Sequence, residues 1–345
     1  MTRRRLVFLV AAMCGGVLFI HSIRAVGSSA ILATLGQIGW GFAAILLLSG
    51  GREVLRTIAW MRTIDAPVQL GFTHALRARL AGEALSTLLP MGVVAGEPMK
   101  AAQLGPQVSF ATAFRALAVE FAFYSASLVP LMASGAIAIA IVERLSIRAL
   151  TIGVGGSALA VGAFLVAGGR TRWWIGSRTR AADELSDPPS DLLSRVAFEW
   201  RRLCEAISGF ASRHPEQVWP LVALETGYHI CAIAEVYLTL ALISPSRPTL
   251  VSALVLETVN RVITVVFQIL PMRVGVDESS AALSAGRLDL GAATGVSLAL
   301  VRKLRLLFWS TVGIVLLLLP ASQPSAPFHS VAAEGLVGYT AEEIS

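Results

Sequence analysis

Two hydrophobic segments of this chain are interrupted by the same motif. Residues 89–97 and 270–278 both read Leu-Pro-Met-x-Val-x-x-x-Glu. Proline removes a backbone donor from a helix, and a carboxylate is costly in apolar surroundings. Unwound backbone is tolerated at membrane depth only inside protein or around a cavity, so interruptions at corresponding positions of two halves indicate a transporter's binding site. The motif pair therefore predicts a binding site inside a membrane protein.

The composition is that of a polytopic membrane protein. The 345 residues are 55% hydrophobic and 14% charged, with a mean hydropathy of +0.71, which is too apolar for a soluble domain. Lys100 and Lys303 are the only lysines, so the net charge of +6 comes almost entirely from arginine. The arginines are grouped in a few segments, which indicates membrane topology and not nucleic-acid binding. The three cysteines follow no metal or redox spacing, and we expect no disulfide, metal or cofactor.

The hydrophobic pattern predicts an all-α integral membrane protein. Six stretches approach the roughly 20 residues that a helix needs to cross hydrocarbon. They are residues 6–26, 31–50, 110–140, 149–168, 217–243 and 293–319. Regions 70–105 and 249–289 are broken by the motif and predict two re-entrant half-helix pairs. Three crossings lie between the breaks, so repeats 70–140 and 249–319 are expected to be inverted.

The arginine distribution predicts the orientation. Fourteen arginines fall on the proposed inner side and four on the outer side. The inner set is Arg3 to Arg5, Arg52, Arg56, Arg62 and eight between Arg170 and Arg213; the outer set is Arg24, Arg144, Arg148 and Arg247. The positive-inside rule then predicts a multi-pass protein of a prokaryotic inner membrane with a cytoplasmic N-terminus. The first break would open from the cytoplasm and the second from the other face.

Three segments are expected to lie outside the hydrocarbon. The arginine-rich insertion 171–215 carries apolar residues at helical spacing after Pro189, which fits a helix on anionic head groups or a solvated connector on the bundle. Residues 52–62, with Trp60, have the same two interpretations. Residues 321–345 contain few large apolar side chains and predict a disordered tail.

Several ionisable residues fall in the predicted spans. Each costs about 2.5–3.5 kcal/mol on insertion scales and calls for a partner or a water-filled cavity. We expect the basic residues to outnumber their partners and to attract phosphate, for which a guanidinium group is well shaped. The candidate head-group ligands are Glu97, Lys100, Glu120, Arg273, Glu278, Arg302 and Arg305. The candidate helix breaks are Pro90, Gly92, Gly96, Pro271 and Gly275.

Each of these assignments has a structural alternative. Pairs at helical spacing, Arg79 with Glu83 and Glu257 with Arg261, would neutralise each other. Glu97 and Glu278 stand where the second half-helices should start and could cap them. Glu120 could pair with Arg302 across the repeats. The set Glu225, His229 and Glu235 is a candidate proton or ion relay, and a buried hydrogen-bonded pair is the alternative.

The motifs resemble those of a known family. The residues that carry the resemblance are Leu89-Pro90 with the run Gly96 to Lys100, Leu270-Pro271 with Gly275 and Glu278, and Arg302. They are similar to the flippase-like family typified by the membrane region of lysylphosphatidylglycerol synthases, which includes hopanoid-biosynthesis-associated membrane proteins. The resemblance covers about residues 5–320. The family usually has arginine at Lys100, glycine at Arg273 and arginine at Phe121.

The resemblance implies a membrane fold that moves or holds lipids between leaflets. Its ligands would be aminoacylated phosphatidylglycerol, another anionic phospholipid or an isoprenoid-linked carrier. The aminoacyltransferase domain of the full synthases does not follow in this sequence, so we expect no enzyme. One alternative is a scaffold subunit for lipid-biosynthesis enzymes. Another is a membrane glycosyl- or acyltransferase, which the short proposed outer loops disfavour. The oligomeric state stays open.

Overall fold

The computed structural model describes residues 36–64, 70–89, 93–105, 108–143, 192–267, 273 and 275–319, and the regular elements within them are helices. These are α1 (Gly41–Arg62), α2 (Phe72–Leu88), α3 (Val93–Gln103), α4 (Phe110–Val142), α5 (Leu192–Arg213), α6 (Pro215–Ile243), α7 (Leu250–Val266), α8 (Val276–Arg287) and α9 (Ala292–Leu318). The all-α prediction is confirmed for this part of the chain. The predicted spans 6–26 and 149–168, residues 171–191 of the insertion, Pro90, Gly92, Pro271 and the tail 321–345 lie outside the described residues.

Helices end at both predicted interruptions. α2 ends at Leu88 and α3 begins at Val93, whereas α7 ends at Val266 and α8 begins at Val276. The helices before the breaks have 17 residues each, and those after the breaks have 11 and 12. At 1.5 Å per residue, α3 and α8 extend only about 17 Å, much less than the roughly 30 Å of a hydrocarbon core. Long helices of 33 and 27 residues, α4 and α9, follow. The same order of lengths therefore occurs twice.

Two described helices, α4 and α6, are long and apolar enough to cross a membrane. Their bounds match the predicted spans 110–140 and 217–243 closely. α1 and α9, with 22 and 27 residues, also exceed the required length of about 20 residues. They carry charged residues near their centres, so composition alone does not identify them as crossings.

Exposed tryptophans mark the two ends of an antiparallel helix pair. Gly41 at the start of α1 lies against Leu242 at the end of α6, and Arg62 donates a hydrogen bond to Gln217 at the other end. Trp40 is 93% exposed and Trp219 is 76% exposed. These two side chains are separated by about 35 Å along the pair, given the helical rise. Tryptophan is enriched at both membrane–water interfaces, so this spacing fits a pair that crosses a bilayer.

Two apolar clusters lie at opposite ends of α1. The cluster at its C-terminal end joins Trp60 to Leu70 before α2, Leu104 and Val108 after α3, and Ala113 at the start of α4. The cluster at its N-terminal end contains Ile38, Ile45, Ile243, Ala253, Ala285, Leu290 and Leu298. The second cluster thus joins the start of α7, the end of α8 and the start of α9. The chain therefore enters α2 and leaves α3 near the C-terminal end of α1, whereas it enters α7 and leaves α8 near the N-terminal end of α1.

The helices around the two breaks form two sets, α2 to α4 and α7 to α9. The first helix of each set packs against the last helix of the other set. Gly313 of α9 lies against the backbone carbonyl of Leu80 in α2, and Gly135 of α4 lies against Thr258 in α7. Glycine permits these contacts because a Cβ atom would collide with the facing residue. The two sets are thereby interlocked.

The interpretation of residues 52–62 as a surface segment is wrong. α1 continues without interruption to Arg62, and Trp60 is fully buried. The helix predicted to end near residue 50 therefore continues to Arg62. It can do so because Arg52 is neutralised by Glu235 inside the bundle. The helix predicted in the insertion is present as α5, whose Phe210 packs against Phe123. Its contact with lipid head groups stays a prediction.

Gly96 provides a test of the packing between α2 and α3. It faces Gly82 and Ser86, and Gly82 in turn faces Lys100, so the two helices run antiparallel. A Cβ at Gly96 would lie 2.5 Å from the Gly82 carbonyl oxygen and would collide with the Ser86 hydroxyl. We expect Gly96→Ala to lower the free energy of unfolding by about 1–3 kcal/mol through overpacking. Thermal unfolding in detergent measures this loss. Gly51→Ala in α1 is the matched control, since open space surrounds that position; equal unfolding temperatures for both variants would contradict the packing.

Candidate functional site

A continuous set of ion pairs lies in the middle of the helix bundle. We call it the arginine network. Its arginines are Arg52, Arg56, Arg79, Arg261, Arg302 and Arg305, its carboxylates are Glu53, Glu120, Glu225, Glu235 and Glu257, and two tyrosines, Tyr124 and Tyr228, lie among them. These residues come from α1, α2, α4, α6, α7 and α9, and thus from both sets of helices.

One branch of the network connects α1, α6 and α9. Glu235 accepts from Arg52 at 2.8 Å and from Arg305 at 2.6 Å, both at the same oxygen, Oε2. Arg52 also donates to the Tyr228 hydroxyl at 2.8 Å. Charge-assisted hydrogen bonds of this length are the strong ones, and here they fix three helices at one point.

A second branch connects α1, α2 and α4. Glu120 accepts from Arg56 at 2.6 Å and lies 3.4 Å from Arg79. Arg79 also lies 3.3 Å from Glu53. Glu120 and Arg79 are fully buried, so their charges must balance each other within the protein.

A third branch, centred on Glu257 of α7, connects to the others through tyrosine. Glu257 lies 2.8 Å from Arg261 and 3.3 Å from Arg302. Arg261 donates to the Tyr124 hydroxyl at 3.1 Å. The Arg56 guanidinium lies 4.2 Å from the centre of the same ring, a cation–π contact that joins the branches.

The guanidinium groups keep a limited opening to their surroundings. The side chains of the five arginines on α1, α7 and α9 are 10–15% exposed, whereas Arg79 is 2% exposed. Each guanidinium has five N–H donors, and Arg52 Nε has no hydrogen-bond partner among the described residues. The Arg52 Nε atom is itself buried, and contact of the remaining donors with an anion stays a prediction.

The two lysines of the chain each contact a motif glutamate, Lys100 from within α3 and Lys303 from α9. Lys100 Nζ lies 2.8 Å from Glu97 and 2.7 Å from Glu83, while Lys303 Nζ lies 2.7 Å from Glu278. The lysine side chains are 3% and 0% exposed. Each helix break is thus joined to a buried ammonium group.

The capping prediction is confirmed at the second break only. Glu278 Oε2 accepts the backbone N–H of Gly275 at 2.7 Å, and Gly275 is the N-cap of α8 with a φ of 86°. This contact satisfies a free donor at a helix start and is one half of a capping box, since Gly275 has no side chain to accept a bond in return. Glu97 lies one turn inside α3, and the first turn of α3 contains no acid. The expectation that Glu97 begins a helix is therefore wrong.

The predicted head-group ligands lie in three places. Glu120, Arg302 and Arg305 belong to the arginine network, Glu97 and Lys100 lie at the first break, and Arg273 and Glu278 lie at the second. Each of these cations contacts a carboxylate, but Glu235 and Glu257 are each shared by two arginines, so the expected excess of cations over partners holds for the arginine network. For Arg273 the partner is Asp277, at 3.0 Å.

Two of the expected pairings are wrong and one is confirmed. Glu120 contacts arginines of α1 and α2 and not Arg302, whose partner is Glu257. Glu83 contacts Lys100, and no ion pair joins it to Arg79 in the described chain. The pair of Glu257 with Arg261 is present at 2.8 Å.

Sequence reasoning missed Arg52, Arg56, Tyr124 and Tyr228. Both arginines were assigned to a surface segment, and the tyrosines were not selected at all. A signal was present, because apolar residues recur at helical spacing through residues 54–60, beyond the predicted end of the span. The tyrosines lie in spans otherwise dominated by aliphatic residues and gave no comparable signal.

The candidate relay residues are separated by their contacts. Glu235 is held by two arginines, and His229 Nε2 lies 3.0 Å from the Ser127 hydroxyl. Neither oxygen of Glu225 has a hydrogen-bond partner in the described residues, and its nearest ion-pair partner is Arg56 at 4.0 Å. No hydrogen bond or ion pair joins the three side chains to one another within that part of the structure.

Paired charges inside and large apolar side chains outside define an integral membrane protein. Leu47, Ile141 and Ile230 are among the exposed apolar side chains, which a soluble monomer rarely groups on helices of this length. Residues 6–314 match the family described as the lysylphosphatidylglycerol synthase TM region. The chain therefore belongs to this family, which associates it with membrane lipids and confirms the resemblance seen in the motifs. No curated protein and no solved structure gives a significant match.

The backbone of Arg273 yields a stability prediction. Its φ of 44° lies in the left-handed region, which costs a residue with a side chain about 1–2 kcal/mol. Glycine has no such penalty, whereas both glycine and alanine lose the largely buried ion pair with Asp277. We expect Arg273→Gly to unfold at a higher temperature than Arg273→Ala. If both variants lose stability equally in a thermal melt, the backbone conformation is not strained.

Proposed function

We propose that this protein is a lipid translocase that binds an anionic head group at the arginine network and moves it between leaflets. The observation that carries the proposal is the network itself, with six arginines at the centre of a membrane bundle and five of them still partly exposed. The ligand is an anionic phospholipid or an isoprenoid-linked phosphate carrier. The protein lies in the inner membrane of a prokaryote and acts without making or breaking covalent bonds.

Arginine at this position meets the main energetic difficulty of translocation. A phosphate loses its hydration inside hydrocarbon, and it needs hydrogen-bond donors in place of water. Guanidinium groups supply such donors in a planar fork that matches two phosphate oxygens. Arg302 is partly exposed and its contact with Glu257 is long, at 3.3 Å, so this arginine can exchange a carboxylate for a phosphate at little cost.

Access from both sides follows if the broken helix pairs are re-entrant and inverted. The chain leads into α2 and out of α3 at the C-terminal end of α1, and into α7 and out of α8 at its N-terminal end. α3 and α8 are each too short to cross the hydrocarbon. In our proposal each pair enters from one face, turns near the midplane and returns, so that alternate movements expose the network to one leaflet and then the other.

Cysteine labelling tests this topology. In a background without native cysteines, single cysteines replace Arg62 and Ser109 beside the first pair, and Ser246 and Arg287 beside the second; all four positions are exposed. With a cytoplasmic N-terminus, an impermeant maleimide should label positions 246 and 287 on intact spheroplasts, and positions 62 and 109 only after permeabilisation.

The four labels also identify how the proposal fails. If position 62 and position 109 react from different sides, the first helix pair crosses the membrane and is not re-entrant. If all four react from one side, the repeats are not inverted. Protein labelled after full solubilisation provides the reference for complete reaction at each position.

Substitution of Arg302 tests the proposed function. Arg302→Ala should reduce translocation of fluorescent phosphatidylglycerol in proteoliposomes by at least about tenfold, because a charge-assisted contact is worth about 1.5–3 kcal/mol. Glu257 keeps Arg261 as its partner, so the fold should survive. Arg287→Ala is the matched control, an exposed arginine of α8 that contacts Glu143. An unchanged rate in Arg302→Ala, measured by chemical quenching of outer-leaflet fluorescence, would refute the role.

A further inference from the structure

Glu225 differs from every other carboxylate of the arginine network. Its side chain is 0% exposed, and neither of its oxygens has a hydrogen-bond partner in the described part of the chain. Among the residues that the structure describes, the only cation within ion-pair distance is Arg56, whose Nε lies 4.0 Å from Oε2. A buried ionised carboxylate without hydrogen bonds is strongly disfavoured, whereas a buried carboxylic acid is not.

The polar groups around Glu225 make their contacts with other residues. From α1, Arg56 holds Glu120 at 2.6 Å. From α2, Arg79 contacts Glu53 and Glu120. From α4, Glu120 adds a like charge and Tyr124 accepts from Arg261. On α6 itself, Tyr228 accepts from Arg52 and His229 contacts Ser127. None of these contacts satisfies the Glu225 carboxylate.

We propose that Glu225 is the proton-binding site of the transport cycle and that a proton and an anionic head group bind together. The inference rests on the proposed function and names what drives it. A proton from water bonds to one oxygen of Glu225, and no other bond forms or breaks. The network has six arginines and five carboxylates, so protonation changes its formal charge from +1 to +2. A more positive network binds an anion more tightly, and by linkage the bound anion favours protonation equally.

Arg56 provides the mechanical part of this coupling. It lies between Glu120 at 2.6 Å and Glu225 at 4.0 Å, so one side-chain rotation moves its guanidinium from one to the other. When Glu225 loses its proton, Arg56 turns toward it and neutralises it. The arginine is then withdrawn from the head-group site, which favours release of the lipid. Protonation reverses the movement.

Infrared difference spectroscopy tests the proton site without requiring transport. The purified protein in nanodiscs of phosphatidylcholine should show a carboxylic-acid carbonyl band that disappears as the pH is raised. Glu225→Gln should lack this band. Glu216→Gln, an exposed position at the start of the same helix, should retain it. A band that persists in Glu225→Gln overturns the assignment, and so does the absence of any band in the parent protein at low pH.

The coupling is tested by the pH dependence of transport. Translocation of fluorescent phosphatidylglycerol should fall about tenfold per pH unit above the pH at which Glu225 loses its proton, and Glu225→Gln should be insensitive to pH. Glu225→Asp, which keeps the carboxyl group, should retain the pH dependence. It therefore distinguishes loss of the proton site from a folding defect at this position. A parent protein that transports equally at every pH overturns the coupling. A parent protein that transports no lipid refutes the proposed function, while the infrared band still decides the proton site.

Discussion

The central constraint on this fold is that a charge inside hydrocarbon requires a compensating charge within hydrogen-bonding distance. The chain meets it mainly with contacts between helices, since most partners in the arginine network come from different elements. Glu235 alone holds α1 and α9 against α6 through two arginines. Helices in a membrane have little hydrophobic reason to associate, so such ion pairs and close glycine contacts determine which helices are neighbours. Stability and the candidate site therefore depend on the same side chains.

The broken helices and the network are parts of one arrangement. α9 contacts α2 through Gly313, contacts α8 through Gly295, and supplies Arg302 and Arg305 to the network. α9 therefore connects α2 and α8 directly to two arginines of the network. Because the guanidinium groups already have carboxylate partners, the head group of the proposed function would replace existing contacts and would not enter an unpaired site.

Local patterns in the sequence determined what could be foreseen. The interruptions were predictable because proline and a buried acid are each unfavourable in a spanning helix. Helical spacing predicted the pair of Glu257 with Arg261 correctly, but the same spacing failed for Arg79 and Glu83, whose partners lie on other helices. The partners of Glu120 were not predictable, because they depend on how α1, α2 and α4 pack. Arg52 was misplaced for the same reason: a charge ends a hydrophobic window, whereas the folded chain neutralises it with Glu235, 183 residues away. Tertiary ion pairs leave no periodic trace in the sequence.

The choice of lysine at two positions has a chemical consequence of its own. Among 28 basic residues only Lys100 and Lys303 carry primary amines in their side chains, and both are sealed beside a motif glutamate. Acylating reagents attack an uncharged amine that water can reach, so neither site should react while its glutamate contact is closed. Modification at one lysine or the other would then reveal, in the unaltered protein, which half of the molecule had opened.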